Sequence, residues 1–147
     1  MRVRREVLDA IRGHARREHP RECCGILVGV DDEVIEAVPA RNVAAEPLRR
    51  YEVSPEDHLA QIKRCRTTTP GDAPALSIVG VYHSHPHSAA VPSPTDLEQA
   101  FGEYTYLIAG PVEPLSEVPV RGYQLRAGQF EEVDLVVEGN HQDPARP

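Results

Sequence analysis

No apolar stretch in this chain approaches the roughly 20 residues that a bilayer-spanning helix needs. The N-terminus, Met1-Arg2-Val3-Arg4-Arg5-Glu6, is basic, but no uninterrupted apolar segment follows it. A secretory leader is therefore not expected, and the expected compartment is the cytoplasm. Cysteine is scarce: three residues, two of them adjacent (Cys23 and Cys24), do not make a disulfide framework and fit a reducing environment. Positive charge is not in excess either. A formal net charge of -7 argues against a nucleic-acid-binding face, which would show a basic stripe. Arg49, Arg50, Arg64 and Arg66 read as scattered solvated side chains, and Lys63 is the sole lysine. Internal repeats and low-complexity segments are also missing. What is present is 147 residues, 40% hydrophobic and 27% charged, which is enough for one globular domain with a real core.

Along the chain, Val7, Leu8, Ile11 and Ala15 recur at helical spacing and predict a helix over residues 4–17, ended by Pro20. The continuous apolar run 23–30 reads as a strand buried on both faces. Asp31-Asp32 signals a turn, and 33–38 a returning strand. Residues 41–46 read as loop, and a strand is expected over 49–53. Ser54-Pro55-Glu56-Asp57 starts a helix to about residue 66, with Ser54 as cap and Pro55 at the first helical position. A polar loop over 67–74 leads to a strand over 75–85. A helix over 94–101, a strand over 104–109 and a hairpin of 118–125 with 129–137 around Ala127-Gly128 complete the domain. The polar end, 138–147, is expected to be disordered and 1–137 to form the domain. The fold class is α/β: one domain whose mixed, mostly antiparallel sheet packs against about three helices.

The chemistry concentrates at the end of the 75–85 strand. His83-Ser84-His85-Pro86 places two imidazoles at i and i+2, hence on one side of a strand, before a proline that stops ladder pairing. Ser93-Pro94-Thr95-Asp96 then offers a carboxylate on the first turn of the next helix. Two imidazoles and one carboxylate are the usual protein complement of a catalytic zinc, which keeps its fourth position for water. The plain alternative is a polar surface pair beside an acid favoured by the helix dipole. Amide hydrolysis also needs a proton carrier near the metal but not on it. Glu22, at the head of the buried 23–30 strand, is the candidate, although sequence alone would make it a surface glutamate. Ser84 points to the opposite strand face from the histidines, and His87, beyond Pro86, reads as loop surface. A rival chemistry would use Cys23 or Cys24 as nucleophile with His83 as base. Both thiols, however, head a very apolar strand, where small buried hydrophobes are common. A zinc nucleoside deaminase would need His-x-Glu and Pro-Cys-x-x-Cys, and neither occurs.

Glu22, His83-Ser84-His85-Pro86 and Ser93-Pro94-Thr95-Asp96 together resemble the JAMM (MPN+) zinc metalloproteases in their stand-alone prokaryotic form. The resemblance covers about residues 4–137 and leaves no position of the pattern empty. It implies a single MPN domain of cytidine-deaminase-like architecture. It implies Zn2+ held by His83, His85 and Asp96, Glu22 as general base and acid, and Ser93 as a stabiliser of the oxyanion. Without the family, Ser93 is better explained as the cap of its helix. The substrate implied is a peptide or isopeptide bond after the C-terminal glycine of a ubiquitin-like or sulfur-carrier β-grasp protein. An extended Gly-Gly tail can add to a sheet edge and leaves room near a metal. Neither nucleic acid nor membrane is expected as a partner, and a homodimer is compatible with so small a domain. The alternative within the same group is a non-catalytic MPN interaction module.

Overall fold

The computed structural model describes residues 1–68, 75–100 and 104–139. Most of the loop expected over 67–74 and nearly all of the tail expected over 138–147 lie outside them. The first helix, α1 (Arg5–Glu18), buries Val7, Leu8, Ile11 and Ala15 as their spacing predicts. A short strand, β1 (Arg2–Arg4), precedes it. Next, β2 (Cys24–Val30) and β3 (Glu33–Ala40) form a hairpin whose turn holds Asp31 at φ 55. After helix α2 (Pro55–Thr68), strand β4 (Leu76–Ser84) runs antiparallel to β2. Helix α3 (Pro94–Gln99) leads to β5 (Thr105–Ala109), which is parallel to β4. The hairpin of β6 (Val120–Arg126) and β7 (Gln129–Val133) turns through Ala127 and Gly128, both at positive φ as a tight primed turn requires. A last strand, β8 (Val136–Glu138), closes the order β7-β6-β5-β4-β2-β3-β1-β8.

Two expectations need correction. Residues 49–53 form no strand; a single bridge, Asn42 to Val53, is all the pairing there. They fold back on residues 41–43 instead, where Val43 N donates to Glu52 O at 2.9 Å and Ser54 N to Arg41 O at 3.0 Å. The strand expected over 129–137 is broken at Asp134-Leu135, where Leu135 turns into the core beside Met1 and Val120. Beyond the break, β8 pairs in parallel with β1. Only two residues thus link β7 and β8, which stand at opposite ends of the sheet order. Three Cα steps span at most about 11 Å. The sheet must therefore roll until its two edges meet. Met1 fastens this seam: its ammonium donates to Asp134 O at 2.9 Å, and its carbonyl accepts from Val136 N at 2.8 Å.

One face of the sheet carries α1. There Val7, Leu8, Ile11 and Ala15 pack on Leu27, Tyr82 and Leu107. On the other face lie Val81, Tyr106, Ile108 and Tyr123, and α2 packs against β4. Tyr82 is wholly buried and ties α1 to the strand that ends in the histidines. Its hydroxyl is hydrogen-bonded with His14 Nδ1 at 2.7 Å. Burial, followed by the Arg17 charge, lowers the His14 pKa. The tyrosine ring lies directly over Gly25, where a Cβ would come within 2.2 Å of a ring carbon. Gly25→Ala should therefore force a core ring off its rotamer and destabilise the fold by about 1–3 kcal/mol. Chemical denaturation, read as the midpoint shift at unchanged slope, checks this.

Candidate metal centre

His83 is the penultimate residue of β4 and is wholly buried; it sits opposite Cys24 on β2. His85 follows just past the strand, yet its N–H still donates to Ala109 O at 2.7 Å, so the strand geometry persists through it. The alternation predicted from the sequence therefore holds, and the two Nε2 atoms lie 3.1 Å apart. His85 Nδ1 lies 2.9 Å from Ala89 O, a contact it can make only as donor. That fixes the tautomer and leaves the Nε2 lone pair facing the site.

Asp96 arrives from α3. Ser93 and Asp96 form a reciprocal capping box: Asp96 N donates to Ser93 Oγ at 3.0 Å, and Ser93 N donates to Asp96 Oδ2 at 2.9 Å. Pro94 pre-sets the first helical φ. The cap aims Asp96 Oδ2 to within 3.2 Å of His83 Nε2 and 3.0 Å of His85 Nε2. One ligand atom from each of the three residues lies within 4.8 Å of the others. Burial alone would raise the Asp96 pKa, but the two imidazoles and the Ser93 amide hold it well below the usual carboxylate range. For His83 burial dominates and lowers the pKa. For His85 burial acts the same way, but Asp96 and the Ala89 carbonyl outweigh it and raise the value.

Glu22 lies beside this cluster, buried, just before the β2 ladder begins. The loop 41–54 holds its backbone from both sides: Glu22 N donates to Pro47 O at 2.8 Å, and Glu22 O accepts from Asn42 Nδ2 at 2.9 Å. Its Oε1 is buried without a hydrogen-bond partner. Burial raises the Glu22 pKa to about 7, with Asp96 adding to the rise and His85 opposing it. The same loop supplies a residue that sequence reasoning missed. The Tyr51 ring stacks on His83 with centroids 4.2 Å apart and planes 17° from parallel. A cavity of about 290 Å³ opens beside that ring, lined by Tyr51, Glu52, Val53, His58, Val81 and Gln99.

The other residues singled out earlier fall outside the cluster. Ser84 points to the opposite face and accepts from Cys23 N at 2.8 Å. His87 is exposed, with its ring 5.0 Å from that of His19. Both head-of-strand thiols are buried, and burial pushes the Cys23 pKa up to about 12 and Cys24 higher still. Neither is a thiolate at neutral pH, so the cysteine-nucleophile reading has no support.

The donor set fits zinc. Two nitrogens and one oxygen face a common point, and tetrahedral zinc with bonds of about 2.0–2.1 Å would set such ligands roughly 3.3 Å apart. The observed separations of 3.0 to 3.2 Å are close to that.

The family described as prokaryotic homologs of the JAB domain matches residues 4–123. A desampylase of Haloferax volcanii is 37% identical over 140 residues, covering 90% of this chain and 93% of that protein. A probable TtuB-protein conjugate cleaving protease of Thermus thermophilus is 36% identical over 135 residues, covering 92% of this chain and 81% of that one. In fold, the solution structure of protein DSY2949 from Desulfitobacterium hafniense superposes with a TM-score of 0.81 at 24% identity. That match covers 96% of this chain and 94% of the other. With the matched span taking in every residue of the cluster, the chain belongs to the family of prokaryotic homologs of the JAB domain.

Proposed function

We propose that this enzyme hydrolyses the peptide or isopeptide bond after the C-terminal glycine of a ubiquitin-like β-grasp carrier protein. His83, His85 and Asp96 are its zinc ligands, Glu22 its proton carrier and Ser93 its oxyanion donor. The observation that carries the reading is the Glu22 Oε1 atom, a carboxylate oxygen buried without a partner beside three converging ligand atoms. A purely structural acid in that position would be expected to find a hydrogen bond. The relatives support the substrate class, since the Thermus thermophilus protein is named for cleaving TtuB–protein conjugates.

A zinc ion at this point supplies Lewis acidity, lowering the pKa of water and polarising a carbonyl. Around it the chain's own groups divide the work. Glu22 takes the proton of the attacking water and passes it to the leaving amine. Ser93 Oγ accepts from Asp96 N, so its hydrogen remains free to donate to the carbonyl oxygen under attack. The cavity on the α2 side of β4 is walled by Tyr51, whose ring stacks on His83, and an extended glycine tail can lie there.

The direct test is to incubate the zinc-loaded protein with a β-grasp carrier extended beyond Gly-Gly and to weigh the products. Cleavage immediately after glycine is expected, and an intact carrier would overturn the proposal. Glu22→Gln should keep one zinc per chain while turnover falls by roughly 10²–10⁴; metal analysis and steady-state rates read the two effects separately. Iodoacetamide should leave the rate unchanged, whereas a chelator should abolish it until zinc is restored. A protein that purifies with far less than one zinc per chain and cannot be loaded would instead be the non-catalytic module.

Glu22 also leaves a signature in the metal-free protein. Its folded pKa of about 7 lies above the ordinary 4.5, so the folded state holds this proton more tightly than the unfolded chain does. The penalty is absent below about pH 4.5, grows as pH rises, and is complete above about pH 7. It is on the order of 3 kcal/mol. Metal-free Glu22→Gln should accordingly gain stability over the parent above pH 7 relative to any difference at pH 4. Thermal melts at the two pH values check the sign.

A further inference from the structure

We infer that Asn42 is the positioning residue for the proton carrier, acting through the backbone of Glu22. The inference rests on the reading of Glu22 given above. Glu22 precedes the β2 ladder, which starts at Cys24, so the sheet does not fix its backbone. Loop 41–54 does so instead, and the Asn42 side chain gives that loop its shape. The carboxamide makes four hydrogen bonds. Nδ2 donates to Glu22 O at 2.9 Å and to Arg50 O at 3.1 Å. Oδ1 accepts from Ala44 N at 3.0 Å and from Glu52 N at 3.0 Å. Two N–H groups and two lone pairs are the full capacity of a primary amide, so every bond it can make is made.

Each bond serves a separate part of the loop. The pair to Ala44 and Glu52 draws its two arms together, the bond to Arg50 fixes the turn before Tyr51, and the bond to Glu22 ties the assembled loop to the head of β2. Pro47 O, at the far side of the same loop, accepts from Glu22 N at 2.8 Å. The peptide groups flanking the catalytic candidate are thus both clamped by one loop. That loop also lays Tyr51 on His83. Asn42 therefore sets the position of Glu22 through backbone bonds alone, with none to its carboxylate or to the three ligands.

Only an amide satisfies this pattern. Aspartate has the same shape but would set an anionic oxygen against the carbonyl oxygens of Glu22 and Arg50. Glutamine is one carbon too long to keep four bonds at these distances. A half-buried position also lets water reach the loop, so loss of the amide should loosen Glu22 rather than unfold the domain.

The experiment is a double-mutant cycle on the zinc-loaded enzyme with the Gly-Gly-extended carrier as substrate. Asn42→Asp should lower kcat by about 10- to 100-fold with KM within about twofold, a selective loss that general loosening of the fold would not give. Zinc affinity, measured by chelator competition, should stay within about threefold, because none of the three ligands is bonded to Asn42. In the Glu22→Gln background the same substitution should have almost no further effect on kcat, since the group it positions has gone. Should Asn42→Asp not fold, Asn42→Ala adds no charge and is used in its place. Equal multiplicative losses in both backgrounds, or an unchanged kcat, would overturn the role of Asn42. Glu22→Gln at the parent rate would instead overturn the reading of Glu22, so the two failures are told apart.

Discussion

Cys24 and His83 face each other across the antiparallel ladder of β2 and β4, and the rest of the site follows from that register. Glu22 lies two residues before one partner and His85 two after the other. Side chains alternate along a strand, so Glu22 and both imidazoles come out at the same end and on the same side of the sheet. A slip of one residue would send the histidines to the α1 face, among Leu27, Tyr82 and Leu107. The hydrophobic pattern forbids that slip. Val81 and Tyr82 are both deeply buried, but on opposite faces and against different partners. Tyr82, held over Gly25 and bonded to His14, keys β4 to the neighbouring strand and helix at the last position before the site.

Two carboxyls lie within this small region, and their surroundings push them apart. Asp96 receives an amide N–H and faces two imidazoles, which together overcome the cost of its burial. Glu22 has burial without a hydrogen-bonding partner on Oε1, and its affinity for a proton rises. Such a separation assigns roles: one group suited to stay ionised beside a cation, the other suited to take up and release a proton near neutral pH. Both environments come from local backbone choices, a capping box for Asp96 and a clamped peptide for Glu22.

Much of this was legible in the chain because it is local. Strand alternation and Pro86 place His83 and His85, and Ser93, Pro94 and Asp96 write a helix start into four consecutive residues. The contacts that escaped notice join residues without any periodic relation. Asn42 reaches back 20 residues to Glu22, and Tyr51 meets His83 across a fold that only the assembled sheet creates. The expected strand over 49–53 failed for a related reason. Tyr51 and Val53 have strand propensity, but propensity carries no information on whether a partner strand lies alongside. The three-residue strands β1 and β8 are too short for any alternation to register, and their pairing depends on the rolling of the whole sheet.

That rolling has a consequence for the division of labour within the sheet. The strands that meet at the seam come from opposite ends of the described chain; the bond from the Met1 ammonium to Asp134 O joins positions 133 apart in sequence. Glu22 lies just before β2 and His83 near the end of β4, neighbours in the middle of the sheet order, and Asp96 follows on α3. The seam strands contribute no side chain to the cluster, so the terminal strands close the sheet while its middle carries the chemistry.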